Sequence, residues 1–127
     1  MLKYIEQKTG NADNGPAWIV RVKVSKSGRT VYFNGRALKR IDGGGIAGNH
    51  SDLESGDEYW VSGIKKRGVN RHWEGSGVIM IEASAVPEYL QLVGRNHLDV
   101  SQFRIIRDFP EPDPAMFYAR ENLELNP

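Results

Sequence analysis

The residue types best suited to chemistry lie close together near the middle of the chain. Arg71, His72 and Glu74 fall within four consecutive positions. A glutamate base, a histidine acid and an arginine that stabilises phosphate charge can together cleave RNA without a metal ion. On a strand, His72 and Glu74 would lie on the same face, as an ordinary exposed polar pair also would. Because such trios arise by chance in many domains, a metal-independent nuclease is the third of three functional hypotheses.

The same region combines aromatic and basic side chains in a predicted hairpin. Strand periodicity sends Tyr59 and Trp60 to opposite faces, so one ring anchors the core and the other is at least partly exposed. Aromatic rings beside cations bind single-stranded nucleic acid and also form the hot spots of protein interfaces, although most aromatic residues serve packing. The predicted binding surface comprises Tyr59, Trp60, Lys65, Lys66, Arg67, Arg71, His72 and Trp73.

Two other segments carry patterns that are typical of ligand sites. Residues 43–48 match the glycine spacing of a dinucleotide-binding loop, but the helix that must follow is not predicted, which favours a connecting loop. A histidine and four acids after this loop offer hard-metal ligands, yet their spacing is not that of a calcium loop. We therefore assign no cofactor, no metal ion and no catalytic residue. The metal candidates considered are His50, Asp52, Glu54, Asp57 and Glu58.

The composition is that of a folded domain. The chain has 127 residues, of which 39% are hydrophobic and 26% are charged, and this size favours a single domain over residues 1–127. No apolar run approaches the roughly 20 residues of a membrane helix, and the first residues lack the layout of a secretory signal. The absence of cysteine excludes disulfides, thiolate catalysis and cysteine-bound zinc. We expect a cytoplasmic protein that does not enter a membrane.

The net charge of +1 conceals an uneven distribution. Residues 1–40 contain nine basic and two acidic residues, whereas residues 41–127 contain eight basic and fourteen acidic ones. The two parts can attract and neutralise each other within the fold, or the basic part can face an acidic partner. Mutual neutralisation is the favoured interpretation, because oppositely charged segments of one small domain usually become neighbours.

Short strands and tight turns dominate the predicted secondary structure. Asn34-Gly35 is typical of a type I′ turn and predicts a hairpin between Thr30–Phe33 and Arg36–Ile41. Ala17–Ser25 alternates with period two, which predicts that Trp18, Val20, Val22 and Val24 face inward. Further strands are predicted over residues 2–7, 57–64, 71–73, 78–82 and 102–107, a helical turn ending at Gly94, and a terminal helix over 115–125.

These elements predict a mainly β fold. Several short strands joined by tight turns are typical of a small SH3-like barrel or of a strongly curled antiparallel sheet. The one amphipathic helix comes at the C-terminal end, and its apolar side is expected to pack on the barrel mouth or on an open sheet edge.

Roughly residues 30–89 resemble a family of small uncharacterised bacterial proteins. The likeness is carried by the segments 31–35, 48–49 and 57–63, followed by Lys65-Lys66, Gly68 and Arg71-His72. Some members carry the label deoxyxylulose-phosphate synthase, but this chain is far too short for that enzyme and has no thiamine-diphosphate motif. The resemblance implies a bacterial origin and a shared fold, and it implies no activity.

Three functions from different classes follow from these features. The leading hypothesis is a non-catalytic bacterial interaction module that binds another protein through the hairpin, and an immunity or antitoxin role would fit it. The alternative is a nucleic-acid-binding small β-barrel that uses the same hairpin and the basic first 40 residues. The nuclease is the third, so an enzyme is the less favoured class. The sequence leaves the oligomeric state and the identity of the partner open.

Overall fold

A computed structural model describes residues 1–8, 15–41, 48–66 and 77–118 of the chain. Within these ranges, nine strands form one sheet and one α-helix packs on it. The strands are β1 (Leu2–Lys8), β2 (Ala17–Arg21), β3 (Lys23–Val24), β4 (Thr30–Phe33), β5 (Arg36–Arg40), β6 (His50–Asp52), β7 (Glu58–Ser62), β8 (Ile79–Glu82) and β9 (Phe103–Ile106), and the helix is α1 (Val86–Val93).

The sheet curls into a half-barrel, which confirms the mainly β class and the strongly curled sheet. The strand order is β3-β4-β5-β6-β7-β1-β2-β8-β9, so the first strand of the chain lies inside the sheet, between β7 and β2. Most neighbours are antiparallel, as predicted, but β8 is parallel to both β2 and β9. A parallel pair needs a long connection, and α1 supplies it between β8 and β9. The SH3-like alternative stays a prediction.

The hairpin of β4 and β5 forms as the sequence predicts. Val31 lies opposite Leu38 and Tyr32 lies opposite Ala37. Asn34 and Gly35 have φ angles of 47° and 69°, the left-handed conformation that a type I′ turn requires at both positions. This part of the fold is set by residues next to each other in the chain.

The period-two pattern of β2 predicts that one of its faces is buried, whereas the structure buries residues on both faces. Val20 and Val22 are buried as expected, but Ile19 on the opposite face is also fully buried. Val20 belongs to an inner cluster inside the curl, whereas Ile19 belongs to a helix-side cluster between the sheet and α1. Both faces are covered because β2 lies well inside the sheet and α1 packs over the other face, which a pattern confined to one strand does not reveal.

The segment after β9 packs back against the sheet through Phe109 and Phe117. Phe109 packs against the inner cluster, with its ring centroid 6.1 Å from that of Phe33. Asp113 caps a short 3₁₀ turn, Pro114–Phe117, by accepting from the amide of Ala115 at 3.2 Å. Phe117 is buried against Tyr32 and Ala37. The turn begins where the terminal helix was predicted, and the rest of that prediction, over residues 119–125, lies outside the described residues.

Among the described residues, no helix is long and apolar enough to cross a membrane.

Candidate functional site

Strand β7 places two of the three aromatic residues of the predicted binding surface, Tyr59 and Trp60, on opposite faces of the sheet. Tyr59 is 1% exposed and packs in the inner cluster, whereas Trp60 is 39% exposed on the opposite face. Successive side chains of a strand alternate between its two faces, so Tyr59 and Trp60 lie on opposite faces. The curl of the sheet directs Tyr59 inward. Tyr59 therefore supports the surface from within the core, and Trp60 is the aromatic residue that a partner can reach.

A buried carboxylate lies directly across from Trp60 on β1. Glu6 is the Cα partner of Trp60, and opposite residues of an antiparallel pair share a face of the sheet. The carboxylate accepts the hydroxyl of Tyr4 at 2.5 Å and the ammonium group of Lys8 at 3.1 Å. With these bonds the charge of Glu6 is compensated, and the strand beneath the indole is held in one geometry.

The basic residues of the predicted surface are only partly within the described residues. Lys65 and Lys66 are exposed just beyond β7, and Lys66 reaches the rim of a cleft beside α1. Both edges of β7 are occupied, by β1 and by β6, and the strand predicted at residues 71–73 lies outside the described residues. Outside the described residues lie Arg67, Arg71, His72 and Trp73, together with Glu74 of the nuclease hypothesis.

The pair Gly48-Asn49 immediately precedes β6 and lies against β7. The side-chain amide of Asn49 donates to the carbonyl of Val61 at 2.8 Å and its oxygen accepts the amide of Val61 at 2.8 Å, so the side chain extends the pairing of β6. A β-carbon at Gly48 would lie 2.7 Å from the carbonyl oxygen of Tyr59, so only glycine fits there. Gly48 and Asn49 therefore have a structural role in holding β6 against β7.

His50 is buried beside Asn49. Its Nδ1 atom lies 2.8 Å from the side-chain oxygen of Asn49, which accepts and so fixes the proton on Nδ1. Burial, reinforced by the positive charges of Arg40 and Lys3, lowers the pKa of His50 to about 4. The imidazole is therefore neutral in the folded protein near pH 7 and belongs to the core.

We expect the protein to lose stability in mild acid because of His50. The unfolded chain takes up a proton below pH 6.5, whereas the folded protein does so only near pH 4. Stability from this group is thus present above pH 6.5 and is lost as the pH falls towards 4, by about 3 kcal/mol in all. Urea unfolding of the wild type and of His50→Asn at pH 7, 6, 5 and 4 measures it.

The variant His50→Asn keeps a side-chain donor near Asn49 but has no group that titrates in this range. It should show a shallower pH dependence than the wild type, whereas His97→Asn, which removes an exposed imidazole, should follow the wild type. Parallel profiles for wild type and His50→Asn would contradict a neutral buried His50.

Two of the metal-ligand candidates, His50 and Asp52, are engaged in hydrogen bonds within the fold. Asp52 is buried, accepts the Arg36 guanidinium at 2.7 Å, and accepts the amide of Glu54 at 2.8 Å. Burial opposes its charge, but these donors outweigh it and hold the pKa of Asp52 below the usual value. Together with His50 it lies on β6, a strand that is not among those predicted from the sequence. The described part of the chain contains no group of three or more acidic, histidine or cysteine side chains placed to hold a metal ion.

Three ion pairs across the described part of the fold offset some of the uneven charge distribution. Basic residues of the first 40 positions pair with acids of the later part: Arg21 with Glu88 at 3.1 Å, Lys23 with Glu111 at 3.3 Å and Arg36 with Asp52 at 2.7 Å. These contacts support mutual neutralisation over a single basic face.

Sequence reasoning missed the structural roles of Asn49 and Glu82. Glu82 is buried at the end of β8, where it accepts the amides of Arg21 at 2.7 Å and of Phe109 at 2.8 Å. An acid that ends an apolar strand is a usable signal for such a role. The role of Asn49 cannot be predicted from the residues next to it in the sequence, because it depends on the position of β7.

The comparisons with known proteins leave the functional argument to the site itself. No family model matches the chain, and no curated protein or solved structure is significantly similar to it.

Proposed function

We propose that this protein is a non-catalytic interaction module that binds another protein through the Trp60 surface. This surface comprises the side chains of β7 on the helix side of the sheet, Glu58, Trp60 and Ser62. The observation that carries the proposal is the 39% exposure of Trp60 on a strand inside the sheet. A rigid tryptophan on an ordered strand is the residue type most enriched at interface hot spots.

The surroundings of Trp60 suit recognition better than catalysis. The nearby carboxylate of Glu6 is buried and already accepts from Tyr4 and Lys8. His50 and Asp52, the other buried titratable groups close to β7, are likewise engaged in hydrogen bonds within the fold. A general acid or base must be within reach of a substrate, and these groups are committed to the core instead.

Trp60→Ala is expected to weaken binding of the partner by about 30-fold or more, the loss typical of a hot-spot tryptophan. The measurement is capture from a bacterial lysate, with and without nuclease treatment, followed by titration of the recovered partner. The matched control is Leu92→Ala, because Leu92 has the same 39% exposure but lies on α1. Circular dichroism checks that both variants stay folded.

Loss of one specific protein with Trp60→Ala, and its retention with Leu92→Ala, supports the proposal. Equal recovery with both variants would move the interface away from the Trp60 surface. Recovery of nucleic acid that salt releases, with no retained protein, would replace the proposal with nucleic-acid binding.

We also propose the bacterial cytoplasm as the setting. The absence of cysteine fits a reducing compartment, and the resemblance over residues 30–89 supports a bacterial origin.

A further inference from the structure

A cleft lies between α1, β9 and the chain that joins them, and Lys66 is also among the residues that line it. Its volume is about 400 Å³, which is within the usual range for small-molecule sites. Tyr89 and Phe103 form its aromatic wall, with ring centroids 5.3 Å apart and planes tilted by 56°. Leu90, Val93 and Leu98 add aliphatic surface and pack against the helix-side cluster. One side of the cleft is therefore apolar and rigid.

The hydroxyl of Tyr89 has no hydrogen-bond partner among the described residues, although the residue is only 8% exposed. Buried tyrosine hydroxyls are usually hydrogen-bonded, because an unsatisfied buried donor is costly. Burial raises the pKa of Tyr89, so the group is a neutral donor near pH 7. Tyr89 is one of the residues that line the cleft, and a hydroxyl without a partner among the described residues favours a ligand that brings an acceptor.

Three side chains that carry or can take positive charge stand around the cleft. Lys66, Arg95 and His97 are exposed, and within the described residues their side chains make no hydrogen bond or ion pair. Among the described residues of the lining the one acid is Asp99, which accepts the amide of Ser101 at 2.9 Å and the hydroxyl of Ser101 at 2.6 Å and opposes part of this positive charge. The excess of positive charge indicates an anionic ligand.

We infer that this cleft binds a small phosphate monoester with a flat ring, the chemistry of a mononucleotide. The phosphate would lie among Lys66, Arg95 and His97 and accept from Tyr89, because a phosphate offers several acceptor oxygens to such a set of donors. The ring would lie on the apolar wall beside Phe103. This site is separate from the Trp60 surface and does not rest on the proposed protein-binding function.

The test is a titration of ¹⁵N-labelled protein with adenosine 5′-monophosphate, followed by amide shifts. We expect the amide signals of residues 89–103 to shift. Adenosine and inorganic phosphate should each bind more weakly than the nucleotide, and Arg95→Gln should lose at least tenfold in affinity for it. Trp60→Ala should bind the nucleotide as the wild type does. Failure of the nucleotide-binding proposal is therefore distinguishable from failure of the protein-binding proposal. An oligonucleotide with a 5′-phosphate distinguishes a free nucleotide from the end of a nucleic acid.

Tyr89→Phe gives a second readout, because it removes the hydroxyl and keeps the ring. It should weaken nucleotide binding about fivefold without lowering the unfolding temperature, since the hydroxyl has no bond to lose. The control Tyr59→Phe removes another buried hydroxyl away from the cleft and should leave the affinity unchanged. The inference is overturned if no amide in residues 89–103 shifts, if Tyr89→Phe destabilises the protein, or if Tyr59→Phe weakens binding equally.

Discussion

Replacing Asn49 with alanine is expected to lower the free energy of unfolding by about 3 kcal/mol, because partly buried groups would lose their partners. The side chain makes both a donor and an acceptor bond to Val61, each 2.8 Å long, and accepts from His50 at 2.8 Å. Without it, the Val61 amide and carbonyl on β7 are left unsatisfied, and so is the imidazole. Urea unfolding at pH 7, followed by circular dichroism, measures the loss.

Asn49→Asp tests whether the donor is needed. Aspartate keeps the size of the side chain, but it replaces the group that donates to the Val61 carbonyl with a second acceptor. We expect a loss close to that of alanine, whereas Asn96→Ala, at an exposed position, should change stability by no more than about 0.5 kcal/mol. A loss below about 1 kcal/mol in Asn49→Ala would mean that water replaces these bonds.

Glu82→Ala is the second substitution with a large expected effect, about 3 kcal/mol of unfolding free energy. The buried carboxylate accepts the amide of Arg21 at 2.7 Å and the amide of Phe109 at 2.8 Å. It thereby ties β2 to the segment after β9, whose Phe109 packs against the inner cluster. Alanine leaves two amides without an acceptor and weakens that packing. Urea unfolding and amide hydrogen exchange at Arg21 and Phe109 measure both consequences.

Two variants make this prediction specific. Glu82→Gln keeps the shape but turns one acceptor into a donor that faces an amide, so its loss should fall between wild type and alanine. Glu88→Ala removes another partner of Arg21, the exposed carboxylate 3.1 Å from its guanidinium, and should cost less than about 1 kcal/mol. If Glu88→Ala and Glu82→Ala were equally destabilising, the buried carboxylate would not have the role assigned to it.

The sequence by itself determined the features that neighbouring residues encode. Asn34 and Gly35 adopt the positive φ angles of the turn between β4 and β5, and Gly94 ends α1 with a φ of 70°. These conformations are cheap for Gly and Asn and costly for most other residues, so few alternatives compete with them locally. The mainly β class follows in the same way, from short alternating runs separated by such turns.

The tertiary structure alone decided which strands meet and which faces are buried. Periodicity placed Tyr59 and Trp60 on opposite faces, but only the insertion of β1 beside β7 and the curl of the sheet direct Tyr59 inward and leave Trp60 exposed. Ile19 is buried because α1 returns over the sheet, and β6 is a strand because β5 and β7 flank it. These outcomes depend on contacts between residues far apart in the chain, which no local pattern of residue types encodes.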